Sequence, residues 1–250
     1  EIAELIKIDT PTICNALEVV APERRGFGYT TSPLVCAFPQ LPPIVGYAKT
    51  ATIRAMRPSA ISASEATALR VAYYEYVSQG TGPKLVVIQD LAGRSAGYGA
   101  FWGEVNSTVH KTLGCQGVVT DGSIRDLDMI APGFQLLGGC VGPSHAFVHV
   151  VGFGGQVNVA GMTVNDGDLV HAGRHGAVVI PHAVARQVKG GADEMARRES
   201  VVLNVCKDPN FTFEKLKAAM IGEPPSLDLH STTAIITPEL FYWNSWLAGR

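Results

Sequence analysis

Short apolar runs alternate with capped, amphipathic segments through the first half of the chain. KLVVIQD (84–90) and GVVTDG (117–122) carry short apolar runs, LVVI and GVV, with an acidic residue, Asp90 or Asp121, second after the run. Such runs predict short strands buried on both faces. FQLLGG predicts one more strand, and IVGYAKTATIRA (44–55) a longer one with Val45, Tyr47 and Lys49 on one side. SASEATALRVAYYEYVSQG (62–80) predicts a helix that starts on a Ser62/Glu65 capping box and is closed by Gly80. GEVNSTVHKTLGC (103–115) predicts a second, with Val105, Val109 and Leu113 at helical spacing.

At the N-terminus a first helical stretch carries Ile2, Leu5 and Ile6. Asp9-Thr10-Pro11 then restarts the helix ahead of an Ile13, Ala16, Leu17 and Val20 stripe. From Phe147 to Ile180 the chain is β-rich and punctuated by glycine. A long helix is predicted from just after Pro181 to about Val205, and another over 211–220. Alternating strands and helices, followed by hairpin-like strands, predict a layered α/β domain with a mixed sheet or barrel. That domain is expected over residues 1–222, with a C-terminal tail over 223–250 set off by Pro224-Pro225. The aromatic FYWNSW (241–246) is expected to pack on the core or on a neighbouring subunit.

Composition narrows the function classes. The 250 residues are 46% hydrophobic and 17% charged, enough apolar mass for a substantial core. Net charge is −2, from 20 basic and 22 acidic residues, without a Lys/Arg run, so no nucleic-acid partner is expected. Apolar stretches are interrupted well short of the roughly 18 residues that a membrane span needs. Cys14, Cys36, Cys115, Cys140 and Cys206 are scattered without a CxxC pair. With no secretory leader in view, reduced thiols and a cytoplasmic location are the expectation.

Candidate chemistry gathers at the predicted strand ends, where α/β proteins place ligands. Asp90, Glu104, Asp121, Arg125 and Asp126 lie there. Carboxylates with one guanidinium suit a hard divalent cation beside an anionic substrate. The bland alternative is a set of turn formers and surface charges. The GRSAGYG loop (93–99) lacks dinucleotide-binding spacing but makes a plausible wall, with Arg94 and Tyr98 able to contact substrate. His145/His149 and His171/His175 repeat an i, i+4 spacing, but on β-like segments and without HExxH. They read as isolated histidines, with His145 or His149 left as an acid–base helper should either lie near the cleft.

GEVNSTVHKTLGCQGVVTDGSIRD resembles the family that contains 4-hydroxy-4-methyl-2-oxoglutarate aldolase and the regulator of ribonuclease E activity. The signature is an acidic residue, twenty intervening residues and Arg-Asp, matched here by Glu104, residues 105–124, Arg125 and Asp126. VNDGDLV and GAVVIP resemble a second family block downstream. The resemblance implies a β/β/α layered, swivelling-domain-like fold assembled as homotrimers or homohexamers with sites between subunits. It implies a lyase that uses Mg²⁺ or Mn²⁺ to cleave a 4-hydroxy-2-oxo acid to pyruvate, or to decarboxylate oxaloacetate. Alternatively it implies a non-catalytic, ribonuclease-regulator-like binding protein. By the resemblance, Asp126 holds the metal directly, Glu104 holds it through water, and Arg125 grips the substrate carboxylate and keto oxygen. The start of the helix at Gly103, Val105 and Asn106 receives that carboxylate, and Asp121 recedes to a turn or supporting role. Glu194 or Glu199 is the candidate for an acidic group lent to a neighbouring subunit. The chain departs from the family in having Glu at position 104, where Asp is common, and HAGRHG around Gly173.

Overall fold

Asp9 and Ser62 start the helices that the sequence assigns to them. Asp9 Oδ1 accepts from Thr12 N at 3.0 Å. Ser62 and Glu65 close a reciprocal box in which Glu65 Oε2 accepts from Ser62 N at 2.9 Å. The structure is a computed structural model that describes residues 2–222. Its helices are α1 (Ile2–Leu5), α2 (Thr10–Val20), α3 (Ala63–Ser78), α4 (Glu104–Thr112), α5 (Val188–Lys207) and α6 (Phe213–Ile221). The strands are β1 (Val35–Cys36), β2 (Ile44–Arg54), β3 (Lys84–Asp90), β4 (Ala100–Trp102), β5 (Cys115–Thr120), β6 (Ser123–Ile124) and β7 (Gln135–Gly138). After them come β8 (Cys140–Val141), β9 (His149–Phe153), β10 (Val157–Val159), β11 (Met162–Val164), β12 (Leu169–Gly173) and β13 (Gly176–Ile180).

The fold is mixed α/β, as expected. The main sheet runs β1-β7-β5-β3-β2-β12-β13. Its central strands β2, β3, β5 and β7 are parallel, and the flanking pairings are antiparallel. β2 takes a third partner, pairing with β12 along its first half and with β9 along its second. Alternate side chains of the central strands feed two cores. Val86, Ile88, Val118 and Leu136 pack with Tyr73, Val77, Phe101 and Trp102 on one face. Leu85, Val87, Val119 and Leu137 pack on the other, against Val157, Val159, Met162 and Val164 of the β10–β11 hairpin. Apolar runs rather than alternation follow from burial on both faces, and each such side chain contributes about 1.5–3 kcal/mol.

A second sheet, β4-β6-β8, is parallel throughout and sits just past the ends of the main strands. β5 ends at Thr120 and β6 begins at Ser123, while β7 ends at Gly138 and β8 begins at Cys140. Gly139 makes this possible, because a β-carbon there would meet Asp121 O at 2.2 Å. Strands of two or three residues are too short to show a period in the sequence.

Helix α4 departs from its predicted face. Val105 is 71% exposed, whereas Ser107 and His110 are fully buried. Polar groups are tolerated inside because they are paired. Ser107 Oγ donates to Glu104 O and accepts from Ala131 N. His110 Nδ1 lies 2.6 Å from Asn106 O, and its Nε2 lies 2.8 Å from Tyr73 Oη. Burial pulls the His110 pKa down to about 4, so the ring is neutral.

The described residues form two compact units, divided between Gly191 and Ala192. α5 starts at Val188, not directly after Pro181, because the intervening residues form turns closed by Val184 N to Pro181 O and Gln187 N to Val184 O. In the second unit Glu194 pairs with Arg197 and Arg198 along its own helix. Thr212 caps α6, and Lys215 pairs with Asp208 at 2.7 Å. No helix among the described residues is long and apolar enough to cross a membrane. All five cysteines are free thiols. Pro224-Pro225 and FYWNSW lie outside the described residues.

Candidate functional site

The twenty-residue gap between Glu104 and Arg125 is the length of one crossover. The chain leaves β4, runs down α4, returns along β5 and enters β6 beside β4, with Trp102 opposite Ile124. Arg125 N extends that pairing by donating to Trp102 O at 2.9 Å. Parallel neighbours share their carboxyl ends, so Gly103-Glu104 after β4 and Arg125-Asp126 after β6 meet at one place.

Asp126 is held in the left-handed region, at φ 52° and ψ 41°, and its carbonyl accepts from Met129 N at 2.8 Å. Asp is among the residues that reach this conformation at modest cost, and such outliers gather at functional sites. The turn brings the carboxylate back onto the start of α4. Asp126 Oδ2 lies 3.4 Å from Glu104 N and 3.4 Å from Arg125 Nε. Among the described residues Oδ1 accepts no hydrogen bond, and the terminal nitrogens of Arg125 have no acceptor. The two side chains are 33% and 36% exposed, so their ion pair adds little stability. It leaves a carboxylate oxygen and a guanidinium fork open to a ligand.

An open cleft of about 560 Å³ surrounds these groups. Gly103, Glu104, Val105, Asn106, Arg125 and Asp126 all line it. The first N–H groups of α4 have no intrahelical acceptor, which makes the helix start an anion site. Asn106 contributes only its backbone there. Its side chain is committed, donating to Phe101 O at 2.5 Å and accepting from Tyr74 Oη at 2.8 Å. The lining also includes His145, His149 and, on α3, Arg70. Arg70 escaped the sequence reading because it lies on the exposed face of α3, where charge is the default.

Other sequence candidates fall elsewhere. Asp90 is buried, and its carboxylate accepts from Ala92 N at 3.0 Å and Gly97 N at 2.8 Å. Asp121 Oδ1 accepts from Asp90 N at 2.7 Å. Burial, helped by the Asp90 charge, pushes the Asp121 pKa up to about 6. Asp121 ties the end of β5 to the end of β3, Asp90 ties the loop after β3 to that strand's end, and neither lines the cleft. Arg94 and Tyr98 are exposed on the following loop, also outside the cleft lining. Glu194 and Glu199 belong to the second unit, Glu194 within its own ion pairs. His171 is buried, bonded to Thr10 Oγ1 and to the carbonyls of Leu5 and Ile8.

The donor set bears on which metal would suit the cleft. No group of three or more His, Cys, Asp or Glu side chains that could hold a metal occurs among the described residues. Zinc sites need three or four such ligands. Mg²⁺ is commonly held by one or two carboxylates while keeping several waters, which Asp126 and Glu104 in an open cleft can satisfy.

Residues 10–179 match the RraA-like family, described as Aldolase/RraA. No curated protein matches the chain. Among solved structures, an uncharacterized protein from Pseudomonas syringae pv. tomato str. DC3000 is 21% identical, with a TM-score of 0.64 over 86% of this chain and 92% of that one. RraAS2 of Streptomyces coelicolor, an unusual member of the RNase ES inhibitor RraA protein family, is 22% identical, with a TM-score of 0.62 over 80% and 93%. A protein described among novel cellulases from gut-associated microbes is 14% identical, with a TM-score of 0.64 over 80% and 85%. Likenesses this distant, under such different descriptions, establish the fold alone.

Proposed function

The chain belongs to the RraA-like, Aldolase/RraA family, and on that footing we propose that it is a divalent-metal-dependent carbon–carbon lyase acting on a small 2-oxo acid. The observation that carries this reading is the meeting, in one cleft, of an open Asp126 oxygen, an open Arg125 fork and the α4 start. Asp126 would hold Mg²⁺ or Mn²⁺ directly and Glu104 through water. Such an ion polarises a keto oxygen and stabilises the charge that develops on it.

The chain's own residues do the rest. The N–H groups of Val105 and Asn106 receive the substrate carboxylate, and Gly103 leaves room for it beside Asp126. Arg125 bonds the carboxylate and the 2-oxo oxygen together, fixing the plane in which the C3–C4 bond must break. Its charge offsets the negative charge gained by that oxygen as the bond cleaves. Among the described residues no lysine lines the cleft, and a Schiff-base route is not part of this reading. A homo-oligomer with sites completed between subunits, through Glu194 or Glu199, belongs to the same proposal.

The alternative is a non-catalytic binding protein, in keeping with the RNase ES inhibitor family named for the Streptomyces coelicolor protein. Pyruvate release decides between them. The lyase releases pyruvate from oxaloacetate or from a member of a 4-hydroxy-2-oxo acid panel, with Mg²⁺ or Mn²⁺ and not with chelator. Silence across the panel favours the binding protein.

A further inference from the structure

Among the described residues, Arg70 stands in the cleft without a partner of opposite charge. It is exposed on α3, and its guanidinium lies 5.9 Å above the ring of Phe101, the β4 residue two before Gly103. It makes no ion pair among the described residues, although Glu104 lines the same cleft. Its position relative to the α4 start is fixed from both sides. Tyr74, one turn further along α3 on the same face, donates to Asn106 Oδ1, and Asn106 Nδ2 donates to Phe101 O. One helical turn rises about 5.4 Å, so Arg70 is held about one turn away from the residue that touches the carboxylate-receiving end of α4.

Charge then points to what fills the space. Arginine stays protonated under all ordinary conditions. On the functional reading above, Asp126 and Glu104 are matched by the divalent cation they would hold. Arg125 and Arg70 remain as two positive charges in the cleft lining, carried by different elements, one after β6 and one on α3. A monoanionic 2-oxo acid answers only the first.

We propose that Arg70 is the specificity-determining residue of the cleft, holding the second carboxylate of a dianionic 2-oxo acid whose first carboxylate and oxo group lie at Arg125 and the start of α4. The inference rests on the lyase reading for the orientation of the ligand, but its test does not depend on turnover. Two unreactive probes separate the ends of the site: 2-oxoglutarate, a dianion, and 2-oxobutyrate, a monoanion of similar form. Neither has the 4-hydroxyl or β-keto acid that cleavage needs.

Calorimetric titration of the full chain in Mg²⁺ is expected to show 2-oxoglutarate binding about tenfold or more tightly than 2-oxobutyrate, the scale of a charge-assisted hydrogen bond. In Arg70→Ala the preference falls to within about threefold, with 2-oxobutyrate affinity kept. Arg70→Lys, which retains the charge without the fork, falls between them. Four results would overturn the proposal: no binding of either probe, no preference in the unaltered protein, a preference that survives Arg70→Ala, or equal weakening of both probes. Absence of lyase turnover alongside an Arg70-dependent preference sinks the lyase reading and leaves the subsite standing.

Discussion

The carboxylate of Asp126 rests against the backbone of Gly103, where a β-carbon would come within 2.5 Å of Asp126 Oδ2 and 3.2 Å of Arg125 Cγ. Gly103 itself has extended dihedrals, φ −162° and ψ −159°, that any residue can adopt. Its smallness, not its freedom, is what the site uses. Two carboxyl ends of neighbouring strands are thereby packed close enough to act on one ligand.

Gly103→Ala accordingly displaces the Asp126 carboxylate without unfolding the chain. Overpacking of this size costs about 1–3 kcal/mol. The expected outcome is a folded protein whose Mn²⁺ affinity, measured by calorimetry, drops at least tenfold. Unchanged affinity would show that the close approach is incidental.

Asp126→Gly separates stability from function. The left-handed backbone at φ 52° suits glycine better than aspartate, and the exposed pair with Arg125 holds little energy. The unfolding free energy from urea titration is expected to stay level or rise by up to about 1 kcal/mol, while metal binding is lost. A loss above about 2 kcal/mol contradicts the view that this conformation is kept for function.

His110 contributes to the acid limb of stability. Its pKa in the folded chain is about 4, below the ordinary imidazole value, because it is buried against Tyr73 and Trp102. The unfolded chain therefore binds the proton more readily, and stability is full above about pH 6.5 and falls as pH drops towards 4. The loss is on the order of 2–3 kcal/mol. His110→Gln should be less stable at neutral pH but flatter between pH 6.5 and 4, as urea midpoints can measure. A slope equal to that of the unaltered protein rules His110 out.

Asp121 works in the opposite sense. Its folded pKa of about 6 lies above the unfolded value, so the native state binds the proton more tightly between about pH 4 and 6. The charged carboxylate is a cost that grows as pH rises through that window and is complete above it. Asp121→Asn keeps an acceptor for Asp90 N and should stabilise the chain at pH 7 by on the order of 1 kcal/mol, with the gain vanishing near pH 4. Destabilisation at pH 7 would mean that the charge itself is needed there.

Much of this arrangement is legible in the sequence where packing repeats a pattern. KLVVI reads as a strand because Leu85 and Val87 face one core and Val86 and Ile88 the other. Asp9 and Ser62 announce their helices through local hydrogen bonds. The strands β4, β6 and β8 are not legible, since two or three residues carry no period, yet they bring Glu104 beside Arg125. Helix α4 misleads for a different reason. The first residue of its stripe, Val105, lines the cleft, and its buried face is made of Ser107 and His110, whose pairing with Ala131 and Tyr73 depends on distant chain. Asp90 and Asp121 look like ligands in sequence because they end strands, but their oxygens are used by backbone N–H groups. Arg70 shows the converse, a surface-type residue whose importance comes only from what α3 faces.

The most direct test of the central claim is pyruvate formation from oxaloacetate in Mn²⁺ by the unaltered chain and by Asp126→Asn, with a protein-free blank for metal-catalysed decay and chelator controls. The substitution retains the shape and backbone preference of Asp126 while removing the charge that would hold the metal. The account predicts turnover that requires both Mn²⁺ and Asp126, with the Asn variant indistinguishable from the blank. Equal turnover by both proteins, or turnover that survives the chelator, would contradict it.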